Sequence, residues 1–506
     1  MSTPEPPGGL TRIVVRGAGV AGSGFFFTQA LTLGFYLVLA RLASPEDFGV
    51  LAAGSILVGI GSLFAEAGLM AALIQRRDRI EEAASTAVVA TFAGGLVLSL
   101  VALALAPLVG LYFDSGEITR VAAAMSGLLV LQAATVVPDA LMQRRFRFMR
   151  RIVVEPVGVL AFGFVAVVTT AQGLGVWGLV FGLYASGVAQ AALAWPLARW
   201  RPRRSLVSWE TWRELLRFGR PVMSSELIRR VTAELDAALV GRFIGTGSLG
   251  QYRYARRFAV QPLMTIVNVI AFVLLPALAR IAGDPERFRP AFLRALRWVA
   301  VIAFPTSLVF LPIGEPLAVL LLGERWRSAG EALSALCAYS AGAAMVSLAS
   351  EAFKSAGRPD LLPRVHLVSA AVSAVLMVAL LPLGIVGVAA AVSAASLVVA
   401  AYALRIVGRV VGVPGRSMLA EIWAPAVAAS VAAGALYPLE RFVIDAGGHS
   451  EATGLVLLAG EVSLGAVLYL GLLAVLAPAL ARELLSAARN VGKRSRADER
   501  ASVLER

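Results

Sequence analysis

Apolar stretches of about 20 residues recur along the whole chain, divided by short polar joints. Fourteen can be drawn, near residues 18–40, 48–73, 86–110, 120–142, 152–170, 174–196, 219–242, 250–278, 296–321, 330–353, 363–382, 384–404, 419–438 and 455–479. A helix of about 20 apolar residues spans the ~30 Å hydrocarbon layer of a bilayer. An open sheet cannot sit there, because its edge N–H and C=O groups would go unpaired. The pattern predicts an all-α integral membrane protein of about 14 transmembrane helices. The joints leave no room for an extra domain.

Composition agrees with this class. Of 506 residues, 58% are hydrophobic and 15% charged, and the mean hydropathy is +0.78. A soluble domain is nearer one half and one quarter. The single cysteine, Cys337, excludes an intramolecular disulfide. The two histidines, His366 and His449, belong to no cluster with metal-ligand spacing. No metal or cofactor is expected, and no ATP-binding loop is present. The N-terminal MSTPEPPGGLTRIVVRG lacks the charged start and cleavage site of a signal peptide. The first apolar run is therefore expected to stay as a span.

Charge placement orients the chain. With the N-terminus on the cytoplasmic side, 35 of the 46 Lys and Arg fall in cytoplasmic segments, 6 fall outside and 5 lie within spans. This follows the positive-inside rule. It predicts an even number of spans, with both termini in the cytoplasm. It also accounts for the net charge of +14 through anionic lipid headgroups, without nucleic acid.

An internal repeat organises the spans. LARLASPEDFGV at 39–50 matches VGRFIGTGSLGQ at 240–251. Arg41 and Gly49 are eight apart, as are Arg242 and Gly250, and the offset is 201 residues. An even number of spans per repeat gives both copies the same orientation, as in transporters built from parallel repeats. The expected organisation is a cytoplasmic N-terminus (1–17), an N-terminal six-helix lobe (18–198) and a cytoplasmic linker (199–218). A C-terminal six-helix lobe (219–405), two additional helices (406–480) and a basic cytoplasmic tail (481–506) follow.

One span breaks the apolar rule. ELIRRVTAELDAALVGRF, at 226–243, holds Glu226, Arg229, Arg230, Glu234 and Asp236. Helical spacing puts Glu226, Arg230 and Glu234 in one row, with Arg229 and Asp236 in a second row beside it. The next span adds Arg253, Arg256 and Arg257. A charge at the bilayer centre costs roughly 2.5 kcal/mol or more, so these groups must pair, face water, or do both. One reading is a set of ion pairs within the helix. The other is a hydrated cationic cavity for an anionic solute. Five arginines against three acids favour the second, and the planar guanidinium fork suits phosphate.

Other intramembrane polar residues are weaker signals. Glu66 and Asp139 are candidate ion or proton-coupling residues, as are Glu226, Glu234 and Asp236, because an intramembrane carboxylate can change its charge state. Gln29, Gln132, Glu351 and Glu461 read as helix-packing or near-interface residues. GAGVAGSG at 17–24 lacks the strand–turn–helix setting of a phosphate loop and reads as close helix packing.

LARLASPEDFGVLAAGSILVGIGSLFAEAGLMAALIQRR (39–77) resembles the first two spans of bacterial oligosaccharide flippases of the polysaccharide transporter family. MQRRFRFMRRIVVEP (142–156) and GLGVWGLV (173–180) are similar to that family's inner loop and spans 5–6. LDAALVGRFIGTGSLGQYRYARRF (235–258) and LLPALARIAGDPERFRPAFLRALR (274–297) resemble its spans 7–8 and the loop after them. The family shares a superfamily with lipid II flippases and multidrug and toxin extrusion exporters. The resemblance implies two lobes about a central cavity, and alternating access. It implies an undecaprenyl-pyrophosphate-linked oligosaccharide as substrate, carried across the bacterial inner membrane for lipopolysaccharide or exopolysaccharide biosynthesis. By position it makes Arg229, Arg230, Arg253, Arg256 and Arg257 candidates for substrate binding. Expected partners are membrane lipids and other polysaccharide-assembly proteins. The alternatives are a small-solute or drug exporter on the same fold, or a membrane polysaccharide polymerase or glycosyltransferase. The long outer loop near 439–454 has no evident carboxylate pair for glycosyl transfer, so an enzyme is not expected.

Overall fold

A computed structural model describes residues 7–62, 73, 76, 78–144, 148–260, 281 and 284–484. Among these residues all regular structure is helical. Contacts divide the chain into two units, residues 1–253 and 254–506.

In the first unit, α1 (Pro7–Leu42) is followed by α2 (Pro45–Gly54), with a bend of 120° between them. Sequence dictates this start. The Ser44 hydroxyl accepts from Asp47 N at 3.1 Å, and Asp47 Oδ2 accepts from Ser44 N at 2.8 Å. Pro45 takes the first helical position, where a missing N–H costs nothing. Such a capping box stabilises a helix end by about 1 kcal/mol. A short helix, α3 (56–62), follows. α4 (Ile80–Phe113) stops at Asp114, whose φ of 55° is left-handed. α5 (Gly116–Met125) and α6 (Leu128–Arg144) run on as one apolar span. α7 (Phe148–Thr169) and α8 (Val176–Ala198) are joined through Gly173 and Gly175, with φ of 87° and 51°, where a side chain would be strained.

α9 (Trp209–Phe243) starts ten residues before its expected window, capped by Ser208. The segment leading into it docks on the start of α4. Arg203 N donates to Ser85 Oγ at 3.2 Å, and Ser208 N donates to Thr86 Oγ1 at 3.1 Å. α9 also packs on α2 and α4, so the contacts group it with the first unit. α10 is described from 246 to 260.

The second unit contains α11 (Pro285–Leu308), α12 (Phe310–Leu322), α13 (Arg327–Ala335) and α14 (Tyr339–Ser355). α15 (Leu362–Leu380), α16 (Gly384–Val411), α17 (Gly415–Leu439) and α18 (Glu451–Leu476) complete it. Phe292, Leu296, Ala349, Phe353, Val365, Ala403 and Val407 are among the buried centre of α11, α14, α15 and α16. Lipid is as apolar as this core, so close packing of small residues must hold the helices together. At Gly342 a Cβ would lie 2.4 Å from Ser396 Oγ, which shows how near α14 and α16 approach.

Eight helices among the described residues are long and apolar enough to cross a membrane, or ten if each of two bent pairs is one span. The difference from fourteen has physical sources. The charges of α9 lower its hydropathy. The windows at 48–73 and 250–278 lie partly outside the described residues. The windows at 363–382 and 384–404 fall within one continuous helical run, Pro359–Val411.

The repeat meets itself in the first unit. A Cβ on Gly49 would lie 1.8 Å from the carbonyl oxygen of Thr246, and one on Gly250 would lie 1.8 Å from that of Pro45. These pairs are related by the same 201-residue offset as the sequence repeat. The two junctions therefore touch reciprocally, backbone to backbone, and neither glycine tolerates a side chain. We expect Gly49→Val and Gly250→Val each to destabilise the protein by about 1–3 kcal/mol or more. Thermal unfolding in detergent checks this, against Gly34→Val, where the neighbourhood is open.

Candidate functional site

The charged stretch forms a helical hairpin. α9 descends to Phe243, the chain turns at 244–245, and α10 returns from 246. In an antiparallel hairpin, residues at similar distances from the turn, within about half a helical turn, face one another. Glu234 is nine residues before the end of α9, and Arg253 is seven after the start of α10. Their side chains form an ion pair through Arg253 Nη2 and Glu234 Oε2. Asp236 and Tyr252 are a second such pair. Tyr252 Oη donates to Asp236 Oδ2 at 2.9 Å, and Ala237 N donates to Asp236 Oδ1 at 2.7 Å. Both are buried, at 1% and 0% exposure.

Glu234 therefore turns its carboxylate to the neighbouring helix, not along the row to Arg230. The carboxylate also faces α3, where the absent side chain of Gly59 leaves it room. Arg230 is left half-buried, about 20 Å from the C-terminal end of α9 at 1.5 Å per residue. Among the described residues its guanidinium has no ion-pair partner, and its Nε is buried without a hydrogen bond. Arg253 Nε is likewise buried without an acceptor. A guanidinium carries five donors, so both side chains keep hydrogen-bonding capacity for an oxygen-rich ligand or water.

In the second unit, Arg256 lies over the ring of Tyr339, 6.0 Å from its centroid. Such a contact holds a cation in place by about 0.5–2 kcal/mol. Arg257 is half-buried beside it. Asp139 is half-buried on α6. Glu66 and the side chains of Glu226 and Arg229 lie outside the described residues.

The structure thus brings Glu234 to Arg253. It adds Tyr252, Tyr339 and Gly59, which sequence reasoning missed. Distance from the turn was the available signal for Tyr252, since it counts to Asp236 across the hairpin. No local pattern points to Tyr339, which lies far along the chain.

Among the described residues the molecule is an all-helical, multi-span membrane protein with an ion pair set inside one helical hairpin. The chain resembles, in fold, a lipid II flippase in an inward closed conformation, with a TM-score of 0.73 over 91% of this chain and 99% of the other, at 14% identity. It also resembles an inward-facing multidrug resistance transporter of the multidrug and toxin extrusion family, with a TM-score of 0.55 over 75% of this chain and 94% of the other, at 16% identity. Residues 38–331 match the family model described as polysaccharide biosynthesis protein, and the chain belongs to that family.

Two curated relatives carry more specific names. The succinoglycan biosynthesis transport protein ExoT of Rhizobium meliloti (strain 1021) is 26% identical over 299 residues, covering 59% of this chain and 60% of that protein. The lipopolysaccharide biosynthesis protein WzxC of Escherichia coli (strain K12) is 26% identical over 314 residues, covering 59% and 61%. The match spans about three fifths of the length of these relatives.

The hairpin geometry makes a quantitative prediction. Glu234→Gln and Arg253→Gln should each destabilise the protein. The double variant should recover part of the loss, with a coupling of about 1–3 kcal/mol. Thermal midpoints of the four proteins in one detergent complete the cycle.

Proposed function

We propose that this protein is a flippase. It moves an undecaprenyl-pyrophosphate-linked oligosaccharide across the bacterial inner membrane, for surface or exopolysaccharide biosynthesis. Its termini are cytoplasmic, and two six-helix lobes (18–198 and 219–405) work by alternating access. The observation that carries this reading is Arg230: a guanidinium deep in a span, half-buried, with no ion-pair partner among the described residues. An arrangement that costs a few kcal/mol is offset when water or an anionic substrate meets the charge.

In this reading Arg230, Arg253, Arg256 and Arg257, with Arg229, take the pyrophosphate. Charge-assisted bonds from a planar fork to phosphate are strong and directional. The pyrophosphate competes with Glu234 for Arg253, so binding and the hairpin ion pair exclude one another. That exchange links substrate occupancy to α9 and α10, and it makes Glu234 the first coupling candidate. Asp236 holds Tyr252 and so positions the same hairpin. Asp139, Glu66 and Glu226 remain coupling candidates. The names of the curated relatives, one a transport protein and both tied to polysaccharide biosynthesis, support this substrate class. No catalytic step is required of the protein.

A strain deleted for this protein tests the function. Surface polysaccharide should be lost, and complete lipid-linked oligosaccharide should accumulate in the cytoplasmic leaflet. Unpolymerised units already outside would instead indicate a polymerase or transferase. No change in either pool would leave an exporter of another solute. In the complemented strain, Arg230→Ala and Arg256→Ala should each reduce export at least tenfold while membrane levels stay unchanged. Export that survives both substitutions would refute the cationic site.

A further inference from the structure

A second group of charges lies in the second unit, away from the α9–α10 hairpin. A cavity of about 450 Å³ opens among α12, α13, α16 and the turn after α17. The space is far larger than a water needs. Its wall carries Glu315, Glu331, Glu440 and Asp445 against Arg327 and Arg441. Counted as ionised, four acids and two arginines leave the wall with two negative charges in excess. Asp445 and Arg441 are exposed, so the cavity is open to water.

Both arginines already have partners. Arg441 Nη1 lies 3.1 Å from Glu315 Oε2. Arg327 pairs with Glu315 Oε1 and, at 2.6 Å, with Glu324 Oε1. The other acids of the wall are different. Glu331 and Asp445 have no ion-pair partner among the described residues. Glu440 is 6% exposed; its Oε1 accepts from Ala446 N at 2.9 Å, and its Oε2 has no donor among the described residues. A carboxylate oxygen buried without a donor is costly. The wall therefore lacks hydrogen-bond donors and positive charge.

A metal ion does not fit this wall. Among the described residues no three carboxylates come together as a bound metal requires. Acids that are set apart call for a longer ligand with several donors. An ammonium group brings three donors and one positive charge. A chain carrying two or more of them serves separate carboxylates at once. Leu311, Val319, Val386 and Tyr437 line the same space and offer apolar surface to the carbon chain between them. We propose that this cavity binds an aliphatic polyamine, with its ammonium groups held by Glu331 and Asp445 and by Glu440 at the buried wall. The site lies wholly in the second unit, and it holds whether or not the arginine hairpin binds pyrophosphate.

The test uses the full-length protein in phosphatidylcholine nanodiscs, whose headgroups carry no net charge, with spermidine as the probe. Calorimetric titration should show saturable binding, and 1,4-butanediol, an uncharged chain, should not bind. Glu331→Gln and Asp445→Asn should each raise the Kd roughly fivefold or more, the loss of one charge-assisted contact. Glu117→Gln, on α5 in the first unit, should leave it unchanged. Arg441→Gln should lower the Kd, because the wall then loses a positive charge, whereas a merely damaged fold would not bind more tightly. Absence of saturable binding, binding that survives both Glu331→Gln and Asp445→Asn, or equal binding of the diol would each overturn the proposal. Displacement of spermidine by equimolar magnesium chloride, with the same dependence on Glu331 and Asp445, would also overturn it, by assigning these acids to a divalent cation.

Discussion

Lipid offers no partner to a charge, and the structure depends on how it meets that constraint. A lone buried ion is costly enough to oppose insertion of its helix. The chain answers at the α9–α10 hairpin by folding the charges against each other across a turn. Glu234 reaches Arg253, and Asp236 receives Tyr252. Similar distance from the turn at 244–245 makes both contacts available without long-range folding. After this pairing Arg230 has no ion-pair partner among the described residues.

The hairpin is also one copy of a repeat. Gly49 and Gly250 remove the side chains that would keep the two junctions apart, and backbone meets backbone in both directions. In a membrane this matters more than apolar area, because lipid competes equally well for apolar surface. The charged face of α9 and the glycine contact at the α2–α10 junctions occupy the same part of the first unit. The Tyr252 to Asp236 bond, buried on both sides, holds the two helices together.

Much of this was legible in the sequence. Apolar length predicted the helices, because the bilayer sets a span length that any window can be measured against. The repeat was legible because Arg and Gly kept their spacing. The start of α9 was not, since Trp209 to Phe218 is polar enough to read as a linker; Ser208 and its bonds to α4 extend the helix there. Helical spacing placed Glu234 in a row with Arg230, but its partner lies on the next helix. Tyr339 came under Arg256 by packing between distant segments.

The central claim is that Arg230 faces water inside a membrane span. Arg230→Cys and Val231→Cys, each in a Cys337→Ala background, test it directly. The two positions lie about 100° apart around the helix, and Val231 is 43% exposed. A water-soluble, membrane-impermeant thiol reagent would be applied to the protein in lipid. The account predicts that Cys at 230 reacts, Cys at 231 does not, and lipid-linked pyrophosphate slows the reaction at 230. Silence at 230, or equal reaction at both positions, would contradict it.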